Sequence, residues 1–178
     1  VFQNNLLAGA AAAASAGGGA FYSYQIEHSC RFDRGDNSYL SGYANNFGTG
    51  NRRKWTLSVW FKLIAHDGFG SNQYYLFTSN TNFVGSYDTM IFDVDSDSRF
   101  YYQTANKAYQ PNGAFRDTST WGHLVIVYDS DNSTANDRKI MYLNGTRMTD
   151  YYDQSLGINA DSQFNWGTKT HYIGRRQD

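Results

Sequence analysis

The sequence predicts an all-β protein of two antiparallel sheets packed as a sandwich, and three observations lead there. The stretch Lys54 to Lys62 alternates, with Trp55, Leu57, Val59 and Phe61 pointing one way and Thr56, Ser58, Trp60 and Lys62 the other. A strand sends successive side chains to opposite faces, so this period marks a half-buried strand that needs a second layer to cover its apolar side. The composition agrees: fifteen Tyr stand against one Pro and one Glu, and Asn, Ser, Thr and Gly abound where helix formers are scarce. Finally, short apolar runs recur between turn signals, and none has the length or period of a helix.

Taken in order, residues 1–20 (VFQNNLLAGAAAAASAGGGA) are a composition shift and form an Ala/Gly-rich arm; the folded domain occupies residues 21–178. The arm lacks the basic start and Leu-rich centre of a secretory signal. Phe2, Leu6 and Leu7 are its candidate anchor residues, able to dock on a partner while the small residues allow close approach. Ile26 to Phe32 reads as a first strand. Arg34-Gly35-Asp36-Asn37 reads as its turn, although the first three also spell an integrin-binding tripeptide. Tyr39 to Ser41 is a short strand ahead of the Lys54 strand. Gln73 to Ser79 follows, and then a hairpin of Tyr87 to Val94 with Arg99 to Gln103.

Residues 104–120, with Pro111, Asn112 and Gly113 and no period, read as a long surface loop. Gly122 to Tyr128 is apolar on both faces, which predicts a strand covered on both sides. Lys139 to Leu143 is a strand closed by Asn144-Gly145, a strong hairpin signal. Tyr151 to Lys169 is loop-rich, and Thr170 to Gly174 is the last strand.

Charge and cysteine content narrow the function. The formal net charge is −1, and the only basic cluster is Arg52-Arg53-Lys54, so a nucleic-acid partner is not expected. Cys30 is the single cysteine, which excludes an intrachain disulfide and a cysteine-built zinc site. No run of large apolar residues is long enough to span a bilayer as a helix, so membrane insertion is not expected.

Ser29-Cys30-Arg31-Phe32, Ser38 to Ser41 and Lys54 to Lys62, then Trp121 to Tyr128, Asp137 to Gly145 and His171 to Gly174, come in one order over residues 26–174. Together they resemble laminin-G-like, concanavalin-A-like jelly-roll domains, closest to copies in tailed-bacteriophage structural proteins that also carry Ala/Gly-rich arms. The resemblance implies a jelly-roll sandwich and a non-enzymatic tail-fibre or capsid-surface role. It implies other virion proteins as partners through the arm, assembly as a homo-oligomer, and contact with a host cell-surface glycan. An extracellular carbohydrate-binding or adhesion module of a cellular protein is the alternative, and a glycosidase relic a weaker one. In such domains a further strand follows the Ile-Gly strand; here Arg175 to Asp178 follow instead, so the expectation is a natural product that continues beyond Asp178 or an edge completed by another chain.

Candidate site residues fall in two groups. Tyr74-Tyr75, Tyr101-Tyr102 and Tyr151-Tyr152 are the candidate carbohydrate-binding residues, since a sugar ring stacks its C–H face on an aromatic ring. Asp93, Asp95 and Asp97, with Asp129 and Asp131, are the candidate oxygen ligands for Ca²⁺, which laminin-G-like domains often hold at a loop edge. The first three do not form an EF-hand, because Ser98 stands where its glycine belongs and Thr104 where its bidentate Glu belongs; a solvated hairpin turn is the plainer reading. Glycosidases of this architecture set two Glu on one strand as Glu-x-Asp-x-x-Glu, and Glu27 is the only Glu in the chain. No Gly-x-Ser-x-Gly elbow is present either, and the expectation is a protein that is not an enzyme.

Overall fold

A computed structural model describes residues 28–32, 38–42, 49–63, 73–80, 88–93, 99–104, 107–112, 115, 117–153 and 156–175. The expected anchor residues Phe2, Leu6 and Leu7, with Asp95 and Asp97, lie outside them. The chain divides into two units, Val1–Arg31 and Phe32–Asp178. Of the first, residues 28–31 are described and form no strand.

The second unit is an antiparallel sandwich. Its strands are β1 (Leu40–Gly42), β2 (Lys54–Phe61), β3 (Gln73–Asn80), β4 (Asp88–Asp93), β5 (Arg99–Thr104), β6 (Lys107–Pro111), β7 (Gly122–Asp129), β8 (Lys139–Leu143), β9 (Thr146–Arg147), β10 (Tyr151–Asp153) and β11 (Thr170–Ile173). One sheet has seven strands in the order β1-β11-β3-β4-β5-β6-β10; the other has four, β2-β7-β8-β9. A single 3₁₀ turn, Ala135–Asp137, is the one helical element among the described residues.

The alternation of β2 is the one read from the sequence: Trp55, Leu57, Val59 and Phe61 turn inward, and the residues between them are exposed. β2 runs against β7 with Trp55 opposite Tyr128 and Phe61 opposite Gly122, and β7 sends Leu124, Ile126 and Tyr128 into the core. From the facing sheet come Met90, Phe100 and Tyr102, with Met141 of β8 and the loop residues Phe115 and Phe164. Trp55 is the hub of this packing. It stacks on Tyr128, with ring centroids 5.1 Å apart at 4°, and meets Tyr102 and Phe164 edge-on at 5.8 and 5.4 Å.

β8 and β9 join through Asn144 and Gly145 at φ +50° and +81°, the two left-handed residues of a type I′ turn, as that dipeptide predicts.

Four expectations are corrected. Residues 28–32 form no strand. The presumed loop 104–120 contains β6, which pairs with β5 and β10 and ends at Pro111, where a strand can close without donating. Tyr151–Asp153 is a strand on that same edge. β7 is covered on one side only: Val125 and Val127 point away from the core and stay half-exposed.

Candidate functional site

The outer face of the four-stranded sheet carries more aromatic and apolar surface than solubility calls for. Register aligns Trp60 with His123, Ser58 with Val125 and Thr56 with Val127, while Val125 faces Tyr142 on β8 and Tyr142 faces Arg147 on β9. Trp60, near the end of β2, is 47% exposed. One face of its indole stacks on the His123 imidazole, centroids 4.7 Å apart at 15°. His123 Nε2 and Ser58 Oγ share a hydrogen bond of 2.9 Å that holds the ring, and Asn144 Oδ1 accepts from the His123 backbone N–H at 2.8 Å. Trp121, 49% exposed, stands at the same end of β7 as His123.

A tight turn presents Trp121. Asp117 Oδ1 accepts from the Ser119 N–H at 2.8 Å and from its hydroxyl at 2.6 Å, and Oδ2 accepts from the Thr120 hydroxyl at 2.6 Å. The Ser119 hydroxyl, followed by that of Thr120, holds the Asp117 carboxyl down at about 2.

The outer face of the four-stranded sheet thus carries Trp60 stacked on His123 beside the Ser58 hydroxyl, with the exposed Trp121 just ahead of β7. Such a surface can stack the apolar face of a pyranose and hydrogen-bond its hydroxyls. Among the described residues no carboxylate partners His123, and no pair of acids faces across it, so neither a serine triad nor a two-carboxylate mechanism is assembled there.

The six tyrosines expected to bind sugar are dispersed. Tyr102 is a correction: it is fully buried between Trp55, Tyr128 and Phe164, and its hydroxyl donates to Asp88 Oδ2 at 3.2 Å. Burial first, then the Asp88 charge, raises its pKa well above the usual phenol, so it stays a donor. Tyr74 packs on the core, and so does Tyr151, whose hydroxyl donates to the Met148 carbonyl at 2.6 Å. Tyr75 and Tyr101 are half-buried and lie in register through Ile91 on the outer side of the seven-stranded sheet. The side chain of Tyr152 lies outside the described residues.

Of the candidate oxygen ligands for Ca²⁺, Asp129 and Asp131 are described in full, and both face cations: Asp129 Oδ1 lies 3.3 Å from Lys54 Nζ, while Asp131 lies 3.9 Å from Lys54 Nζ and 3.8 Å from Arg53. No group of three His, Cys, Asp or Glu suited to a metal occurs among the described residues. Asp93 ends β4, and its side chain lies outside the description.

A concavity of about 460 Å³ opens beside the β1–β11–β3 end of the seven-stranded sheet. Leu40, Phe77, His171 and Ile173 line it from the sheet, and Asn165 and Trp166 from the loop before β11. Burial lowers the pKa of His171 below that of a free imidazole. This cleft is apolar and offers few groups to a sugar's hydroxyls.

The sequence reading set Trp60 on the outward face of its strand, where it needs cover from a loop or a bound partner, but did not join it with His123 and Trp121 as a site. The signal was present: three outward residues on one end of paired strands are aromatic where a solvent-facing row is ordinarily polar.

Comparison with known proteins adds a family. A laminin-G-type family model, described as Concanavalin A-like lectin/glucanases superfamily, matches residues 33–178. No curated protein matches the chain.

Proposed function

We propose that this chain, which belongs to the concanavalin A-like lectin/glucanases superfamily, serves as a non-catalytic adhesion module that takes a carbohydrate on the outer face of its four-stranded sheet. The observation that carries the reading is Trp60, half-exposed and stacked on an imidazole that Ser58 holds in place. The superfamily contains lectins as well as glucanases. The absence of facing acids among the described residues supports the lectin side.

In this reading the module rides on the surface of a tailed-phage particle, on tail fibre or capsid. The arm of residues 1–20 joins it to other virion proteins, and a host cell-surface glycan is the ligand. The sequence resemblance and the arm's composition support that setting; electron microscopy of the native particle with a domain-specific label tests it.

Binding to immobilised glycans tests the module itself. The wild type retains a defined glycan set, and Trp60→Ala weakens retention at least tenfold, about 1.4 kcal/mol, while far-ultraviolet circular dichroism is unchanged. Equal retention by both proteins, or retention of no glycan at all, removes the reading.

A further inference from the structure

We infer that the glycan taken by the outer face of the four-stranded sheet, on the reading of that face as a carbohydrate platform, is an acidic one, and that Lys62 selects it by holding a carboxylate or sulfate on the sugar stacked against Trp60. Register places the parts. β2 and β7 pair with Trp60 opposite His123 and Phe61 opposite Gly122, so one further step along the ladder sets Lys62 opposite Trp121. Successive residues alternate between faces: Ser58, Trp60 and Lys62 are exposed, while Phe61 and Leu63 pack against the core. Lys62, Trp60, His123 and Trp121 therefore form a two-by-two block at one end of the outer face. Two residues along a strand separate Lys62 from Trp60 by about 7 Å, which the four-carbon stem of a lysine covers. A pyranose lying on the Trp60 indole thus brings a ring substituent within reach of Nζ.

Charge pairing singles out Lys62. Other cations on this sheet and its flanking loops already face acids: Arg53 meets Asp161 at 2.8 Å, Lys54 meets Asp129 at 3.3 Å, and Arg147 meets Asp137. Arg138 donates to the carbonyls of Asn132, Ser133 and Leu156. Lys62 is exposed, and among the described residues no acid faces it. The acids near this face are engaged or distant. Asp129 sits at the far end of β7, opposite Lys54. Asp117, four residues ahead of Trp121, has its two oxygens taken by three hydrogen bonds from Ser119 and Thr120.

An ammonium without a counter-ion beside an exposed indole gives this block a positive potential over an apolar plate. The ligand that complements both is a flat ring carrying an anion, where the stacked face supplies area and the charge supplies selection. Lysine presents a point charge on a flexible stem and no planar fork, so carboxylate and sulfate satisfy it alike.

The test uses the full chain on immobilised glycans arranged in pairs: uronate-terminated oligosaccharides with their carboxyl-reduced forms, and sulfated oligosaccharides with their desulfated forms. The acidic member is retained about fivefold or more above its neutral form in at least one kind of pair, and that kind identifies the anion. Lys62→Ala removes the preference while leaving the neutral form as it was, whereas Trp60→Ala weakens both members. Lys54→Ala, at the other end of β2, changes neither. Raising the ionic strength narrows the preference of the wild type and does nothing further to Lys62→Ala. Glycans held through Trp60 with no preference for the acidic member of either kind of pair, or a preference that survives Lys62→Ala, overturn this inference and leave the platform standing. Retention of no glycan at all overturns it together with the platform.

Discussion

Replacing Asp88 by Ala tests how the loop ahead of β11 is tied to the core. Asp88 is fully buried at the start of β4. Its Oδ2 accepts from the Gln163 N–H at 2.7 Å, from the Tyr102 hydroxyl at 3.2 Å and, closely, from the Ser162 hydroxyl. Each donor comes from a different residue, and two belong to the segment that carries Phe164 under Trp55. Truncation leaves a buried amide and two buried hydroxyls without this acceptor, at about 1–3 kcal/mol each before relaxation. The hydroxyls can rotate toward other oxygens, and removal of a buried carboxylate recovers some of its desolvation cost. The expected net loss is about 3–4 kcal/mol, or about 6–16 °C in Tm for a chain of this size. Asp88→Asn keeps the volume and one acceptor and is expected to cost about 1–2 kcal/mol. Urea unfolding followed by tryptophan fluorescence gives both values. A double-mutant cycle with Ser162→Ala adds the coupling, expected at about 1 kcal/mol or more. An Asp88→Ala protein within 1 kcal/mol of wild type, or strict additivity in the cycle, would falsify the view that this carboxylate holds the loop.

Three further outcomes follow from the same geometry. His171 stacks on Phe77 with centroids 5.8 Å apart, and burial depresses its folded-state pKa below about 6.5, the unfolded value. The unfolded chain takes up its proton first, so this contribution to stability is complete above pH 6.5 and lost as pH falls toward the folded pKa; His171→Phe should flatten that part of a urea-midpoint profile. Gly174 holds φ +84°, and an added Cβ would meet the Phe32 ring at 2.5 Å, so Gly174→Ala is expected to cost about 2–4 kcal/mol in thermal unfolding. The Asp117 turn should keep Trp121 in place from neutral pH down to about 3 and release it as pH falls through about 2, seen as a change in indole fluorescence anisotropy that Asp117→Ala shows already at pH 7.

How much of this was readable in advance depends on where period and burial coincide. β2 announced itself because each inward residue is large and apolar and each neighbour polar, apart from Trp60. The β8–β9 turn was legible because only residues tolerant of positive φ close a two-residue hairpin. β6 was not: Lys107 to Pro111 is short, mixed and Pro-ended, and it is a strand because β5 and β10 flank it. Phe115 and Phe164 fill the core from loops, where no period exists to reveal them. A Tyr-Tyr pair says that one ring goes in and one out, but parity alone does not say which. Tyr102 went in because its partner acid, Asp88, is buried beside it. Lys139 ends fully buried, with its ammonium 5.6 Å from the Tyr102 ring centroid, an arrangement that no single-strand pattern predicts.

Among the described residues the two sheets differ in width, seven strands against four. At one side they finish level: Met148 follows β9, its N–H donates to the Met141 carbonyl of β8, and the chain passes directly into β10 on the edge of the facing sheet. The surplus strands of the larger sheet among the described residues, β1, β11 and β3, lie toward the β2 side, and there the core is closed by aromatic packing: Trp55 of β2 interlocks with Tyr102, Tyr128 and Phe164 between the layers.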